Sequence, residues 1–173
     1  MILVVFAHPY PDQSRAGQRL LGALDGLDGV VRHSLYDLYP GFDVDVPREQ
    51  ELLVEASALV LQHPIYWYSV PGLLKHWMDK VWARGFAYGD RFALEGKRCL
   101  WVPTAGGDER AYAPGGVHAR PFADFVPPIE QAVRFCHMQW EPPLIVRAAH
   151  RVSEAELDRL AVDYRQRVRE LGA

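Results

Sequence analysis

The chain has 173 residues, 49% hydrophobic and 24% charged, which is the size and composition of one globular domain with its own core. A net charge of −3, with lysines and arginines scattered along the chain, offers no basic field for phosphodiester backbones and excludes nucleic acid as a partner. The apolar start Ile2 to Phe6 lacks the length and basic flank of a signal sequence, and no run approaches a membrane span, so a cytoplasmic chain with Cys99 and Cys136 as thiols is expected.

The run MILVVFA is short, continuous and β-branched, as in a strand buried on both faces, and it breaks at His8-Pro9-Tyr10-Pro11. Apolar residues from Ser14 to Leu27 recur at helical spacing, with Ser14 as N-cap. Val30 to Tyr39 reads as a second strand followed by a turn, and Pro47 opens a helix reaching about Ala56. Ala58 to Leu61 is another buried strand, ended by His63-Pro64. Pro71 suits the first turn of a helix with Leu73, Leu74, Trp77, Met78 and Val81 on its buried face and Lys75, His76, Asp79 and Lys80 in water. Arg98 to Val102 is a further strand containing Cys99, a packed core thiol. Phe122 to Cys136 is helical by spacing, and Leu144 to Ala148 is a last, more exposed strand. Ser153 and Glu156 form a capping box ahead of a closing helix.

Five strands alternating with about five helices predict a single α/β domain, a doubly wound sheet of parallel strands flanked by helices. Ligands of such sheets bind beyond the carboxyl ends of the strands. Three loops converge there: HPYPDQSRAG, QHPIYWYSVPG and PTAGGDERAYAPGG. The first leads into a helix start around Ser14, Arg15, Ala16 and Gly17, whose free N–H groups suit a phosphate; plain capping by Ser14 is the alternative. Tyr66, Trp67 and Tyr68 form either a platform for a flat ligand or an apolar cover for the next helix. Thr104, Ala105, Gly106 and Gly107 let backbone N–H groups approach a polar ligand, or simply turn the chain. Together these are the parts needed to hold a flavin mononucleotide.

The motifs AHPYP-x-x-S, QHPIYWYSVPGLLKHWMDKV, FAYGD, TAGG and FCHMQWEPP resemble the flavodoxin-like NAD(P)H:quinone oxidoreductases over nearly the whole chain. The resemblance is closest to the short bacterial branch that serves as ancillary flavoprotein to glutathione-gated potassium efflux systems. It implies the flavodoxin-like fold, a non-covalent flavin, a homodimer with two interface sites, and two-electron quinone reduction by a ping-pong cycle with NADH or NADPH as donor. A membrane potassium efflux transporter is then the implied partner. Carried over by position, His8, Ser14 and the turn through Gly17 face the flavin phosphate and ribityl chain, and Ile65 to Tyr68 with Thr104 to Gly107 hold the ring. Trp67, Tyr88, Tyr112 and His118 are the implied substrate-pocket residues, Tyr88 reaching the partner subunit's pocket. Tyr112 and His118, eight and fourteen residues after Thr104, have the spacing of a pair thought to assist hydride transfer, since a phenol and an imidazole can donate to charge developing on the flavin. Either side chain also reads as an ordinary loop residue. Many relatives carry asparagine where Gly17 stands. The long animal enzymes, which hold FAD, extend past the last helix, whereas this chain stops at Ala173; FMN is therefore expected before FAD.

His33 and His150 are expected at the surface, and His63 is expected to hydrogen-bond its own turn. No His, Cys and carboxylate spacing suggests a metal set. Asp12 and Asp108 flank the anion site and should point outward.

Overall fold

The computed structural model of the chain describes residues 1–172. Strands β1 (Ile2–Phe6), β2 (Val30–Ser34), β3 (Ala58–Pro64), β4 (Arg98–Thr104) and β5 (Gln139–Trp140) form one parallel sheet in the order β2-β1-β3-β4-β5. Helices α1 (Arg15–Gly22), α2 (Leu35–Leu38), α3 (Val46–Glu55), α4 (Gly72–Val81) and α5 (Pro127–Phe135) lie in the connections between strands, and α6 (Glu154–Leu171) follows β5. Alternation along the strands sorts their side chains into two cores. Leu3, Val5, Leu59, Leu61, Cys99 and Trp101 pack with α3, α4 and α5, whereas Val4, Val60, Leu100 and Val102 pack with α1 and α6. The winding reverses at β1, which pairs with β2 on one side and β3 on the other, so the loops after β1 and β3 diverge to opposite faces and leave a crevice between them.

The sheet, its parallel direction and its long helices match the pattern read from the sequence; several boundaries do not. The tail of the expected second strand is instead α2, and the helix after Ser14 ends at Gly22 rather than Leu27. Strands β3 and β4 run on to Pro64 and Thr104, with His63↔Pro103 and Pro64↔Thr104 still in register. Phe122–Phe125 is a separate 3₁₀ turn, because Pro127 and Pro128 start a new helix rather than continue one.

The largest correction concerns the last strand. β5 lies at Gln139–Trp140, and Pro142-Pro143 then detaches the chain, since proline has no N–H for the ladder. Leu144–Ala148 rejoins β4 through Leu144 N–H to Trp101 O and Val146 N–H to Pro103 O, both 2.9 Å, with a single bridge at Thr104↔Val146. It is not exposed: α6 covers it, and Leu144 and Val146 are buried.

His33 is also buried rather than at the surface. Its Nε2 lies 2.8 Å from Glu49, a carboxylate with no solvent exposure that also accepts from Tyr39 Oη at 2.5 Å and Trp77 Nε1 at 2.7 Å. This network joins β2, α3 and α4 with Tyr39, the residue that follows α2.

Candidate active site

The loops after β1, β3 and β4 meet at the carboxyl edge of the sheet around a cavity of about 230 Å³. Of the residues expected there, His8, Ser14, Arg15, Ala16, Gly17, Ile65, Tyr66, Thr104, Ala105 and Gly106 line it. Sequence reasoning missed Tyr10, Gln13, Pro64, Ala149 and His150, which complete the wall. His150, although exposed, faces the cavity because the segment beside β4 delivers residues 149 and 150 to the same edge; placing that segment as an outer strand hid it.

At one end stands the start of α1. Gln18 N–H closes the first turn onto Ser14 O at 2.8 Å, but Ser14 Oγ makes no capping bond. The N–H groups of Arg15, Ala16 and Gly17 have no acceptor among the described residues. Three free donors at the positive end of a helix dipole form an anion cradle. The Arg15 guanidinium does not contribute: Nη1 donates to Val152 O at 2.8 Å and Nη2 pairs with Glu154 at the start of α6. Gly17 has a local reason for being glycine, since a Cβ there would stand 2.3 Å from Ser14 Oγ. Its carbonyl accepts from the buried Gln62 amide at 2.9 Å, and Gln62 accepts in turn from Tyr164 Oη at 2.9 Å, so α1, β3 and α6 are tied behind the cradle. Asp12 is exposed, and Asp108 is turned onto its own loop, its Oδ1 accepting from Ala111 N–H at 3.0 Å.

His8 flanks this end. Its Nδ1 accepts from Tyr10 N–H at 3.0 Å, which leaves Nε2 to carry the proton of the neutral ring. Burial holds its pKa below the ordinary histidine value, the Tyr10 bond opposes this, and the charge of His150 adds to the lowering.

The second wall is the turn after β3. Tyr66 and Ser69 exchange N–H···O bonds of 3.1 and 3.0 Å around Trp67 (φ 48°) and Tyr68 (φ 63°), a type I′ geometry that ordinarily selects Asn-Gly. Bulky residues held there cost of order 1–3 kcal/mol and cluster at functional positions. Trp67 is 92% exposed, and the N–H groups of Trp67 and Tyr68 have no acceptor among the described residues. Beneath the turn, buried His63 accepts from Trp101 Nε1 at 2.7 Å and donates from Nδ1 to Pro64 O at 2.9 Å. Burial lowers its pKa to about 4, so it stays neutral in this tautomer. The expected turn bond is present, with an indole added.

The third wall follows β4. Ala105 N–H donates to Val146 O at 2.8 Å, while Gly106 and Gly107 N–H have no acceptor among the described residues. The long loop behind them is folded on itself. Its Tyr112 is buried, with its ring on His118 (centroids 4.3 Å, 25°) and edge-on to Phe122 (5.1 Å). Burial, with Tyr68 adding to it, raises the Tyr112 phenol pKa against the pull of Arg147.

Trp67, Tyr68, Gly107, Tyr112 and His118 do not line the cavity; they stand beside it. Tyr112 and His118 pack on Gly107, next to the Gly106 wall: a Cβ on Gly107 would lie 2.8 Å from Tyr112 Cε2 and 2.9 Å from His118 Nε2. Tyr88 is elsewhere, in a separate concavity beside Phe135 at 5.3 Å.

A family profile described as Flavodoxin-like fold matches residues 1–168. The chain belongs to that family. Among curated flavodoxin-like relatives, the glutathione-regulated potassium-efflux system ancillary protein KefF of Enterobacter sp. (strain 638) is 43% identical over 169 residues, covering 97% of this chain and 95% of its own. KefF of Salmonella schwarzengrund (strain CVM19633) is 44% identical over 170 residues, with 97% and 95% covered. Among solved structures, an NADPH-quinone reductase from P. pentosaceus superposes with a TM-score of 0.88 at 31% identity, covering 97% of each chain. General stress protein 14 of Treponema denticola, in complex with FMN, gives 0.89 at 32% identity, covering 98% of each chain.

Proposed function

We propose that this flavodoxin-like chain is an FMN-dependent NAD(P)H:quinone oxidoreductase. The observation that carries the reading is the set of unused donors on Arg15, Ala16, Gly17 and Gly106, which line one cavity, with further unused donors on Gly107, Trp67 and Tyr68 beside it. The donors at the α1 start suit a phosphate and the others the polar edge of a flat heterocycle, and among the described residues no carboxylate lines the cavity to oppose an anion. The FMN-bound and quinone-reductase neighbours support the same reading.

When bound, FMN supplies the chemistry by accepting hydride from NADH or NADPH and passing the electron pair to a quinone. The chain's part is to bind, orient and hold protons. The α1 start holds the phosphate, and His8 presents its Nε2 proton beside it. The N–H groups of the Tyr66–Ser69 turn and of Gly106-Gly107 fix the ring edge, while the exposed Trp67 indole offers a face for nicotinamide and quinone in turn. Tyr112, a phenol whose pKa burial raises further, and His118 stacked on it would hold protons next to Gly107, where negative charge on the ring edge would develop. A homodimer in which Tyr88 completes the partner's pocket is part of the proposal, consistent with its place outside this chain's own cavity.

The test is an initial-rate study of the FMN-loaded protein with NADH, NADPH and a soluble quinone. Parallel double-reciprocal lines support a ping-pong cycle; absence of quinone-dependent oxidation refutes the assignment. A second reading, favoured by 43–44% identity to KefF over nearly the full chain, is an ancillary subunit activating a potassium efflux transporter. Among the described residues no helix is long and apolar enough to cross a membrane, so the membrane would be reached through the transporter. Replacing Trp67 and Gly106 should abolish turnover, and efflux retained by such a variant marks activation as independent of the chemistry.

A further inference from the structure

We infer that Tyr68 is a positioning residue for His118, its hydroxyl tying the imidazole to the Tyr66–Ser69 turn; the inference rests on the functional reading above. Tyr68 Oη lies 3.3 Å from His118 Nδ1, and the two rings meet edge to face with centroids 5.6 Å apart at 86°. The phenol is the stronger acid and the imidazole nitrogen the stronger base, so the O–H donates and Nδ1 accepts. That leaves the ring proton on Nε2, the nitrogen on the Gly107 side.

The arrangement is held from all sides. Tyr68 stacks on Phe125 at 5.0 Å and 24°, and the opposite partner of His118 is the Tyr112 ring at 4.3 Å. The backbone of Tyr68 belongs to the positive-φ turn whose free N–H groups have no acceptor among the described residues, while its side chain reaches the loop after β4. One residue thus joins two loops 50 positions apart. Whatever seats against the turn backbone also sets the direction of the His118 Nε2 proton.

Tyr68→Phe removes the hydroxyl and keeps the ring stack on Phe125, so the turn is retained. The readout on flavin-free protein is the ¹⁵N spectrum of His118 with its ring neutral. The expected result is a move of the Nδ1 resonance in Tyr68→Phe toward that of an unbonded imidazole nitrogen. In FMN-loaded protein, stopped-flow reduction by NADH should slow about three- to tenfold, with FMN affinity within about twofold, as for loss of one hydrogen bond. In a His118→Gln background the same substitution should add no further slowing, because Tyr68 acts through His118. An unmoved Nδ1 resonance overturns the inference, as does slowing that persists without His118 or a reduction rate equal to wild type. Wild-type protein that NADH and NADPH both fail to reduce refutes the functional reading and removes the positioning role with it, while the Nδ1 resonance still reports whether the bond exists.

Discussion

Replacing Gly107 with alanine tests the geometry that links the long loop to the cavity. Three side-chain atoms stand where the new methyl must go: Tyr112 Cε2 at 2.8 Å, His118 Nε2 at 2.9 Å and Ala111 Cβ at 3.1 Å. Carbon contacts rest near ~3.5–4.0 Å, so the Tyr112 ring edge must withdraw by about 0.7 Å or more. It cannot do so freely, because the ring is buried against Phe122 and Phe125. Gly107 lies outside the left-handed backbone region, so alanine there restricts the unfolded chain and returns about 0.4–1 kcal/mol. Overpacking costs about 1–3 kcal/mol and outweighs that gain. Net destabilisation of about 1–2 kcal/mol should lower Tm by roughly 2–8 °C in calorimetry at this chain length. The same shift displaces both candidate proton donors, so flavin reduction in stopped-flow should fall about ten- to a hundredfold. A variant with wild-type Tm and wild-type reduction would refute the packing argument and the placement of the pair.

Tyr112→Phe and His118→Ala should each slow flavin reduction more than they weaken FMN binding, measured by stopped-flow and by fluorescence titration. Equal losses in both would assign the pair to binding. Arg15→Ala should change FMN affinity by less than about threefold and stability by at most about 1 kcal/mol, since its backbone N–H is kept and its guanidinium is engaged by Val152 O and by the exposed Glu154. Glu49→Ala should cost about 3–5 kcal/mol in urea unfolding, because it strands buried donors on His33, Tyr39 and Trp77. Burial alone would raise the Glu49 carboxyl, but the bonds from His33, Tyr39 and Trp77 outweigh it and hold the pKa below the ordinary 4.5. The wild-type contribution is therefore fully present above that value and lost as pH falls through the lower folded one, so acid unfolding should show a Glu49-dependent step absent from Glu49→Ala.

Much of the fold was legible because a sheet buried on both faces writes itself as short apolar runs, and Ile2–Phe6, Ala58–Leu61 and Arg98–Val102 are such runs. Leu144–Ala148 was found as extended chain but misjudged in exposure and pairing, since the prolines that detach it and the helix that covers it act through tertiary contacts. The same error concealed Ala149 and His150 as cavity residues. His33 shows another limit: its neighbours along the chain are polar, and only Glu49, sixteen residues on, explains its burial. The cavity walls were readable from Ser14 to Gly17 and from Thr104 to Gly106, because loop positions after strands converge by topology. That Tyr112 and His118 would stack behind Gly107 was not, because loop conformation depends on contacts such as Asp108 with Ala111 N–H. Gly17 in place of a side-chain donor became intelligible only once Ser14 Oγ stood against it.

FMN is proposed to sit where the turns after β1, β3 and β4 meet, and a titration of FMN into purified protein, followed by flavin fluorescence and melting temperature, tests this directly. Saturable binding of one FMN per chain is predicted, with Tm raised by roughly 5–10 °C at about a hundredfold excess over Kd. A flat fluorescence titration with an unchanged Tm would contradict it.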